Sequence, residues 1–227
     1  MMSYLLPILA VVFGASIVLL TKKKSTISQW STKLLLSFSG AFLLSLTLFN
    51  LLPEVYHHLE GKTTGVFIML GIFIQIFLES LSKGAEHGHL HIHTKHSNFP
   101  WLLFISLSIH SFLEGFPLHQ HNTMVYGVLI HKIPIAILIT AFLIKSGFSF
   151  FKTTSFLVIF AIMTPLGTFV SYFFEGLAPY LSYINAIVIG IFLHISTIIL
   201  FESSEGHKFN FSKLLSIFLG VLIAYFL

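Results

Sequence analysis

Eight long apolar stretches, separated by short polar loops, constrain this chain more than any other feature. A helix needs about 20 mainly apolar residues to cross a bilayer. Such stretches occupy residues 2–20, 34–56, 63–82, 99–118, 124–144, 154–174, 180–201 and 211–227. Only 9% of the residues are charged, whereas a soluble domain carries about 25%. The sequence therefore predicts an all-α integral membrane protein, with eight transmembrane helices in one domain over residues 1–227.

The distribution of lysines predicts the orientation of these helices. Cytoplasmic loops of membrane proteins carry an excess of lysine and arginine. Ten of the lysines fall in the odd-numbered loops, and the even-numbered loops hold only Lys62. Both termini are therefore predicted to face outside, in a plasma or inner membrane. Because its lysines follow the first apolar run rather than precede it, that run is interpreted as a retained helix and not a signal peptide. The same topology accounts for the basic charge without a nucleic-acid partner.

Four ionisable residues stand inside the fourth and fifth stretches, and three of them are candidate metal ligands. Such a residue costs about 2.5–3.5 kcal/mol at the centre of a membrane, so it usually has a function. His110 and Glu114 are four residues apart and share one helix face, and His131 follows in the next stretch. A rise of about 1.5 Å per residue puts the two histidines at the same depth. We predict that these three residues bind one divalent metal; the alternative is three separate polar residues, each hydrogen-bonded for helix packing.

Lys132 lies beside His131 and needs either a partner or a lowered pKa at this depth. Glu114 or a carboxylate from another helix could supply that partner. The ammonium would repel a second cation, so one metal is expected in the core. The chain has no cysteine, so that metal must be held by histidine, glutamate, backbone or water.

The loop over residues 83–98 is predicted to be cytoplasmic and is rich in histidine. Tracts of this composition are typical of metal binding, and the alternative is a solvated polar loop. Because a protonated imidazole does not bind metal, capture should weaken below about pH 6. The histidines concerned are His87, His89, His91, His93 and His96.

Further ionisable groups stand near both predicted membrane surfaces. The outer group comprises Glu54, His57, His58, Glu60, His119, His121 and Glu175, and the inner group comprises His194, Glu202, Glu205 and His207. Taken singly, each of these residues is typical of an ordinary loop or membrane-interface residue. Together they place weak ligands at both ends of a stronger central site, as translocation requires. Asn50, Glu54, His194 and Glu202 are the pathway candidates; a helix–helix hydrogen bond is the alternative for Asn50.

The second and seventh stretches share a short pattern. Gly40-Ala41-Phe42-Leu43 corresponds to Gly190-Ile191-Phe192-Leu193, and Thr47 to Thr197 at the same offset. These stretches are predicted to cross the membrane in opposite directions. Inverted repeats of this kind are common in secondary transporters, so the bundle is predicted to contain them.

The polar motifs resemble those of the ZIP family of metal-ion transporters. His110-Ser111-Phe112-Leu113-Glu114-Gly115 resembles that family's fourth-helix motif, and His131-Lys132-Ile133-Pro134 resembles its fifth-helix motif. Leu51-Leu52-Pro53-Glu54 is similar to the end of its second helix, and Pro165-Leu166-Gly167 to a sixth-helix motif. The resemblance implies a ZIP-type bundle that imports Zn²⁺, or related ions such as Fe²⁺, Mn²⁺ or Co²⁺, into the cytoplasm.

The resemblance also assigns roles to single positions. His110, Glu114 and His131 match the primary metal site. Ile135 stands where a further glutamate is often found, and Ser111 and Lys132 occupy positions that often complete a second metal site. The resemblance therefore implies one metal, with Ser111 and Lys132 modulating its site. It further implies that one helix bundle moves against a scaffold, often in a homodimer.

Two other function classes suit the same metal site. An integral-membrane metalloenzyme also carries His and carboxylate ligands on helices, but the buried set here is sparse and near mid-depth. An exporter or a metal sensor is the other alternative. No nucleotide-binding motif and no catalytic cofactor are predicted. The sequence leaves the metal selectivity and any proton coupling open.

Overall fold

The computed structural model describes residues 1–20, 29–82, 99–202 and 211–227, and these residues are helical apart from short connections. We number eight spans in chain order. They are α1 (Met2–Leu20), α2 (Gln29–Leu46, continued by a π-helical turn Thr47–Leu51 and the short helix Leu52–His58), α3 (Gly61–Ser82), α4 (Trp101–Leu113), α5 (Asn122–Lys145), α6 (Phe150–Phe173), α7 (Leu181–Glu202) and α8 (Phe211–Tyr225). Seven of these segments are long and apolar enough to cross a membrane, and α8 is shorter. The predicted all-helical membrane fold is confirmed.

The end of the fourth helix differs from the sequence prediction, because a turn that contains proline follows it. The fourth stretch was expected to be one helix to residue 118, but regular α-helix ends at Leu113. A 3₁₀ turn, Phe116–Leu118, follows, with Pro117 at its start. Proline offers no backbone N–H to continue the α-helical ladder. Glu114 therefore lies at the C-terminal end of α4 rather than in the middle of a helix.

The helices pack as two groups. In the first group, α1 packs against α5 and α6, and α4 packs against α6; in the second, α3 packs against α7, and α2 against α7 and α8. The two groups meet mainly where α2 lies along α5 and where α3 lies along α4. Because α4, α5 and α6 belong to one group, that group holds the three histidine and glutamate positions predicted to bind metal.

Glycines set the closest approaches inside each group. A Cβ added at Gly167 of α6 would collide with the carbonyl oxygen of Phe112, and one added at Gly115 would collide with the carbonyl oxygen of Thr164. The backbones of α4 and α6 can therefore touch, as small residues allow in membrane helix packing. The crossing of α3 and α7 is equally close. A Cβ added at Gly71 would collide with the carbonyl oxygen of Ile187, and one added at Gly190 with that of Ile68.

Two apolar clusters fill the interior, and a polar layer lies between them along the chain. On α5, residues from Met124 to Val128 belong to one cluster, and residues from Ile135 to Leu143 belong to the other. His131 and Lys132 fall between these stretches and are buried. The fold thus places its buried charges in a narrow layer rather than scattering them through the core.

Candidate metal-binding site

The structure brings His110, Glu114 and His131 together. Their exposed fractions are 4%, 1% and 2%. His110 Nε2 lies 3.4 Å from Glu114 Oε2, and the centroids of the two imidazole rings are 6.3 Å apart. All three residues line one cavity of about 10 Å³, close to the space that one water molecule needs. The remaining lining residues are Lys132, Ile135 and Phe160.

Lys132 takes its partner from within this cluster. Its Nζ lies 2.5 Å from Glu114 Oε1 and donates to Ser111 Oγ at 2.5 Å. The same nitrogen stands over the Phe160 ring, 4.3 Å from its centroid, in a favourable cation–π position. Of the two partners that the sequence left open, the structure selects Glu114.

Thr164 of α6 belongs to the cluster, although sequence reasoning did not single it out. Its Oγ1 lies 2.7 Å from Glu114 Oε1 and 2.9 Å from the carbonyl oxygen of Ser111, so its one proton can be donated to either. Thr164 directly precedes the Pro165-Leu166-Gly167 motif. That adjacency is the sequence signal that could have found it. The contact exists because Gly115 and Gly167 let α4 and α6 touch.

The two oxygens of Glu114 have different surroundings. Oε1 pairs with the Lys132 ammonium, accepts a hydrogen bond from the Thr164 hydroxyl, and lies 3.3 Å from Ser111 Oγ. Oε2 is turned away from these three side chains, and His110 Nε2 lies 3.4 Å from it. Oε2 is therefore the oxygen better placed to face a cation from the histidine side.

The present side-chain arrangement is not yet a coordination shell. Within residues 1–20, 29–82, 99–202 and 211–227, no three His, Glu, Asp or Cys side chains are arranged to hold a metal ion. Metal–nitrogen and metal–oxygen bonds need about 2.0–2.2 Å, so rotation of the imidazoles or a small helix shift must precede coordination. Ile135 lines the cavity and offers no ligand there.

At the predicted outer end, one pair joins α2 to the loop before α5. His121 Nδ1 lies 2.9 Å from Glu54 Oε2; the histidine side chain is 7% exposed, and the glutamate side chain is 43% exposed. Burial lowers the pKa of His121, and the Glu54 carboxylate opposes this shift. Asn50 is half-buried in the π-helical turn. The other predicted outer residues are exposed: His57, His58, Glu60, His119 and Glu175.

At the predicted inner end, His194 of α7 pairs with Glu79 of α3, with Nε2 and Oε2 2.7 Å apart. Glu79 was not among the predicted pathway residues, because its partner lies 115 residues away in the sequence. The glycine crossing of α3 and α7 brings it to His194. The side chain of Glu202, together with Glu205, His207 and the loop histidines His87, His89, His91, His93 and His96, lies outside the described residues.

Comparison with known proteins identifies the family of this chain. A family model described as ZIP zinc transporter matches residues 81–227. The chain is 29% identical to the zinc transporter ZIP1 of Danio rerio over 96 residues, which are 40% of this chain and 32% of that protein. It is also 29% identical to the protein zntD of Dictyostelium discoideum over 150 residues, 56% of this chain and 22% of that one.

The chain thus spans about a third of the first relative and about a fifth of the second. The family match is broader for this chain, because it runs from the end of α3 through α8. It contains all of the buried polar residues described above, namely His110, Ser111, Glu114, His131, Lys132 and Thr164. Since the matched region is more than half of the sequence, the chain belongs to the ZIP zinc transporter family.

Proposed function

We propose that this protein carries divalent metal ions, with Zn²⁺ as the preferred cargo, across the membrane into the cytoplasm through one intramembrane site. The observation that carries the proposal is the shared cavity of His110, Glu114 and His131, buried between α4 and α5. Two imidazoles and a carboxylate suit Zn²⁺ and also Fe²⁺, Mn²⁺ and Co²⁺. Membership of a transporter family favours transport over the membrane metalloenzyme considered above.

The cation would bind at three sites in turn as it crosses the membrane. Glu54, which is partly exposed, offers a first carboxylate at the outer end. The central residues then replace most of the hydration shell. Glu79 and His194, partly exposed at the opposite end, receive the ion before release. A central site flanked by weaker ones allows both entry and departure.

Alternating access would expose the central site first to one side and then to the other. The grouping of α1, α4, α5 and α6 apart from α2, α3, α7 and α8 supports a movement of one group against the other. Import would be favoured by the membrane potential, worth about 2.3 kcal/mol per charge per 100 mV. We further propose that the protein is a homodimer in a plasma or inner membrane, and that both of its termini face outside.

Uptake by reconstituted protein tests this function. Purified protein in proteoliposomes is assayed with Zn²⁺ against Fe²⁺, Mn²⁺ and Co²⁺ as competitors, at two pH values. His110→Ala should abolish uptake while the protein remains folded, because it removes one of the two imidazoles. Thr140→Val is the matched control, since Thr140 is buried on α5 and its hydroxyl bonds only its own helix, at the Ala136 carbonyl oxygen. Undiminished uptake by His110→Ala would refute the central site.

A further inference from the structure

The buried carboxylate of Glu114 is already paired with a cation that belongs to the protein. Lys132 Nζ contacts Glu114 Oε1. The Lys132 side chain is only 2% exposed to solvent, and the Glu114 side chain only 1%. An unpaired buried carboxylate would be strongly destabilising. The pair therefore makes the site close to neutral before any cargo arrives, at a depth where charge is costly.

We propose that the Lys132 ammonium is a tethered competitor of the transported cation. It neutralises Glu114 while the site is empty, and it loosens its hold on Oε1 when a divalent ion approaches from the Oε2 side. The affinity for the cargo is thereby set low enough for release. This inference rests on the proposed transport function and adds to it the residue that sets affinity and turnover.

The geometry gives the ammonium somewhere to remain when Glu114 turns towards the cargo. Ser111 Oγ accepts from Nζ, and the face of Phe160 lies beneath it. These two contacts involve no carboxylate, so they persist when Glu114 is shared with a metal. Lys132 thus stays in the polar layer instead of having to leave the membrane interior.

The Lys132 ammonium also sets the net charge of the site when no metal is bound. A carrier must return without cargo, and the pair of Lys132 and Glu114 lets it return with no net charge at the site. Without the ammonium, the empty site carries a negative charge that binds divalent cations tightly. Removing the ammonium should therefore tighten binding and slow the maximal rate together, which loss of packing alone would not do.

Zinc titration calorimetry on the full chain in detergent, paired with uptake in proteoliposomes, tests this proposal. Lys132→Gln keeps a donor for Ser111 and Glu114 but removes the charge; Lys132→Met removes both. Each should lower the Kd of the His110-dependent site by about tenfold or more, because a like charge at short range is removed. Each should also lower the KM and the maximal uptake rate. Lys132→Arg, which restores the charge, should return Kd towards that of the wild type.

Lys145→Gln is the matched control, since it removes the same charge from the last turn of the same helix. It should leave Kd unchanged. An unchanged or weaker Kd in folded Lys132→Gln would overturn the inference and leave the transport function intact. Absence of His110-dependent zinc binding and uptake in the wild type would instead overturn the proposed function, and the inference with it.

Discussion

Glu114 connects three helices through one carboxylate. It lies at the end of α4, receives Lys132 from α5, and lies within hydrogen-bonding distance of Thr164 on α6. Such charge-assisted hydrogen bonds are about twice as strong as neutral ones. The orientation of Oε2 towards His110 therefore depends on Lys132 and Thr164, which come from the other two helices.

Replacing Thr164 tests that dependence. Thr164→Val keeps the shape of the side chain but removes the hydroxyl beside Glu114. One hydrogen bond to a charged group contributes about 1.5–3 kcal/mol, so the KM for zinc uptake should rise by about tenfold. The maximal rate should change less. Thr140→Val, the equivalent change on α5, should leave KM as it is; equal values for both variants would show that Thr164 does not position the carboxylate.

Residue spacing predicted part of this cluster and could not predict the rest. His110 and Glu114 share a helix face by their i, i+4 spacing, and Lys132 needed a partner at membrane depth. Thr164 is 50 residues from Glu114 in sequence. Its contribution follows from the crossing of α4 and α6, and only its place before the Pro165-Leu166-Gly167 motif marks it in the sequence. Glu79 escaped for the same reason, because its partner His194 lies 115 residues away.

At the scale of helices, the glycine crossing of α4 and α6 determines where the cluster forms. Gly167 faces the carbonyl oxygen of Phe112, and Gly115 faces that of Thr164. Backbone atoms cannot move aside as a flexible side chain can. Any side chain at these positions would therefore separate α4 from α6 and withdraw Thr164 from Glu114.

Gly167→Ala should consequently lower both the thermal stability and the uptake of the protein. Overpacking of this kind costs about 1–3 kcal/mol, which a shift of the melting temperature in detergent would report. Gly65→Ala on α3 is the control, because a Cβ there meets nothing within 4 Å. That substitution should preserve or slightly raise stability, since alanine favours helix over glycine. Equal tolerance of both changes would contradict the close crossing.

The loop between α4 and α5 supplies a pH-dependent contribution to stability. Burial lowers the pKa of His121 from its ordinary value of 6.5. The unfolded chain therefore binds more protons than the folded protein just below that pH, so stability should fall as the pH drops below about 6.5. His121→Asn should flatten the decline in melting temperature between pH 7.5 and 5.5. The exposed His57→Asn should not; parallel curves for all three proteins would count against this assignment.

Helix existence was easier to predict than helix ends. The first apolar stretch was predicted at 2–20, and α1 spans Met2–Leu20, because an uninterrupted run of apolar side chains leaves few alternatives in lipid. The π-helical turn Thr47–Leu51 in α2 carries no such signature. Turns of this kind are often found at functional sites, and this one contains Asn50.

At the scale of the whole molecule, glycine contacts are tight within each helix group. Between the groups, a Cβ at Gly127 of α5 would meet only the ends of Leu43 and Leu46 side chains on α2. Flexible side chains can yield, whereas backbone contacts cannot. At Gly127 the boundary between the groups can therefore yield more easily than the glycine crossings inside each group, as the proposed movement of one group against the other requires.

The histidine-rich loop should affect capture rather than the central step. Replacing His87, His89, His91, His93 and His96 together by serine should change the apparent zinc affinity or its regulation more than the maximal uptake rate. The loop is predicted to be cytoplasmic, so it should not hold the ion at the depth of His110, Glu114 and His131. Concentration-dependent uptake in proteoliposomes checks this, and complete loss of transport would place the loop on the obligatory path.

Zinc X-ray absorption spectroscopy shows directly whether His110, Glu114 and His131 hold one zinc ion together. The sample is the full chain with the five loop histidines replaced, loaded with one equivalent of Zn²⁺, and compared with the same protein carrying His131→Ala. The zinc shell should contain two imidazole nitrogens and carboxylate oxygen, and the variant should lose one imidazole. An identical zinc shell with and without His131 would contradict binding of the cargo by His110, Glu114 and His131.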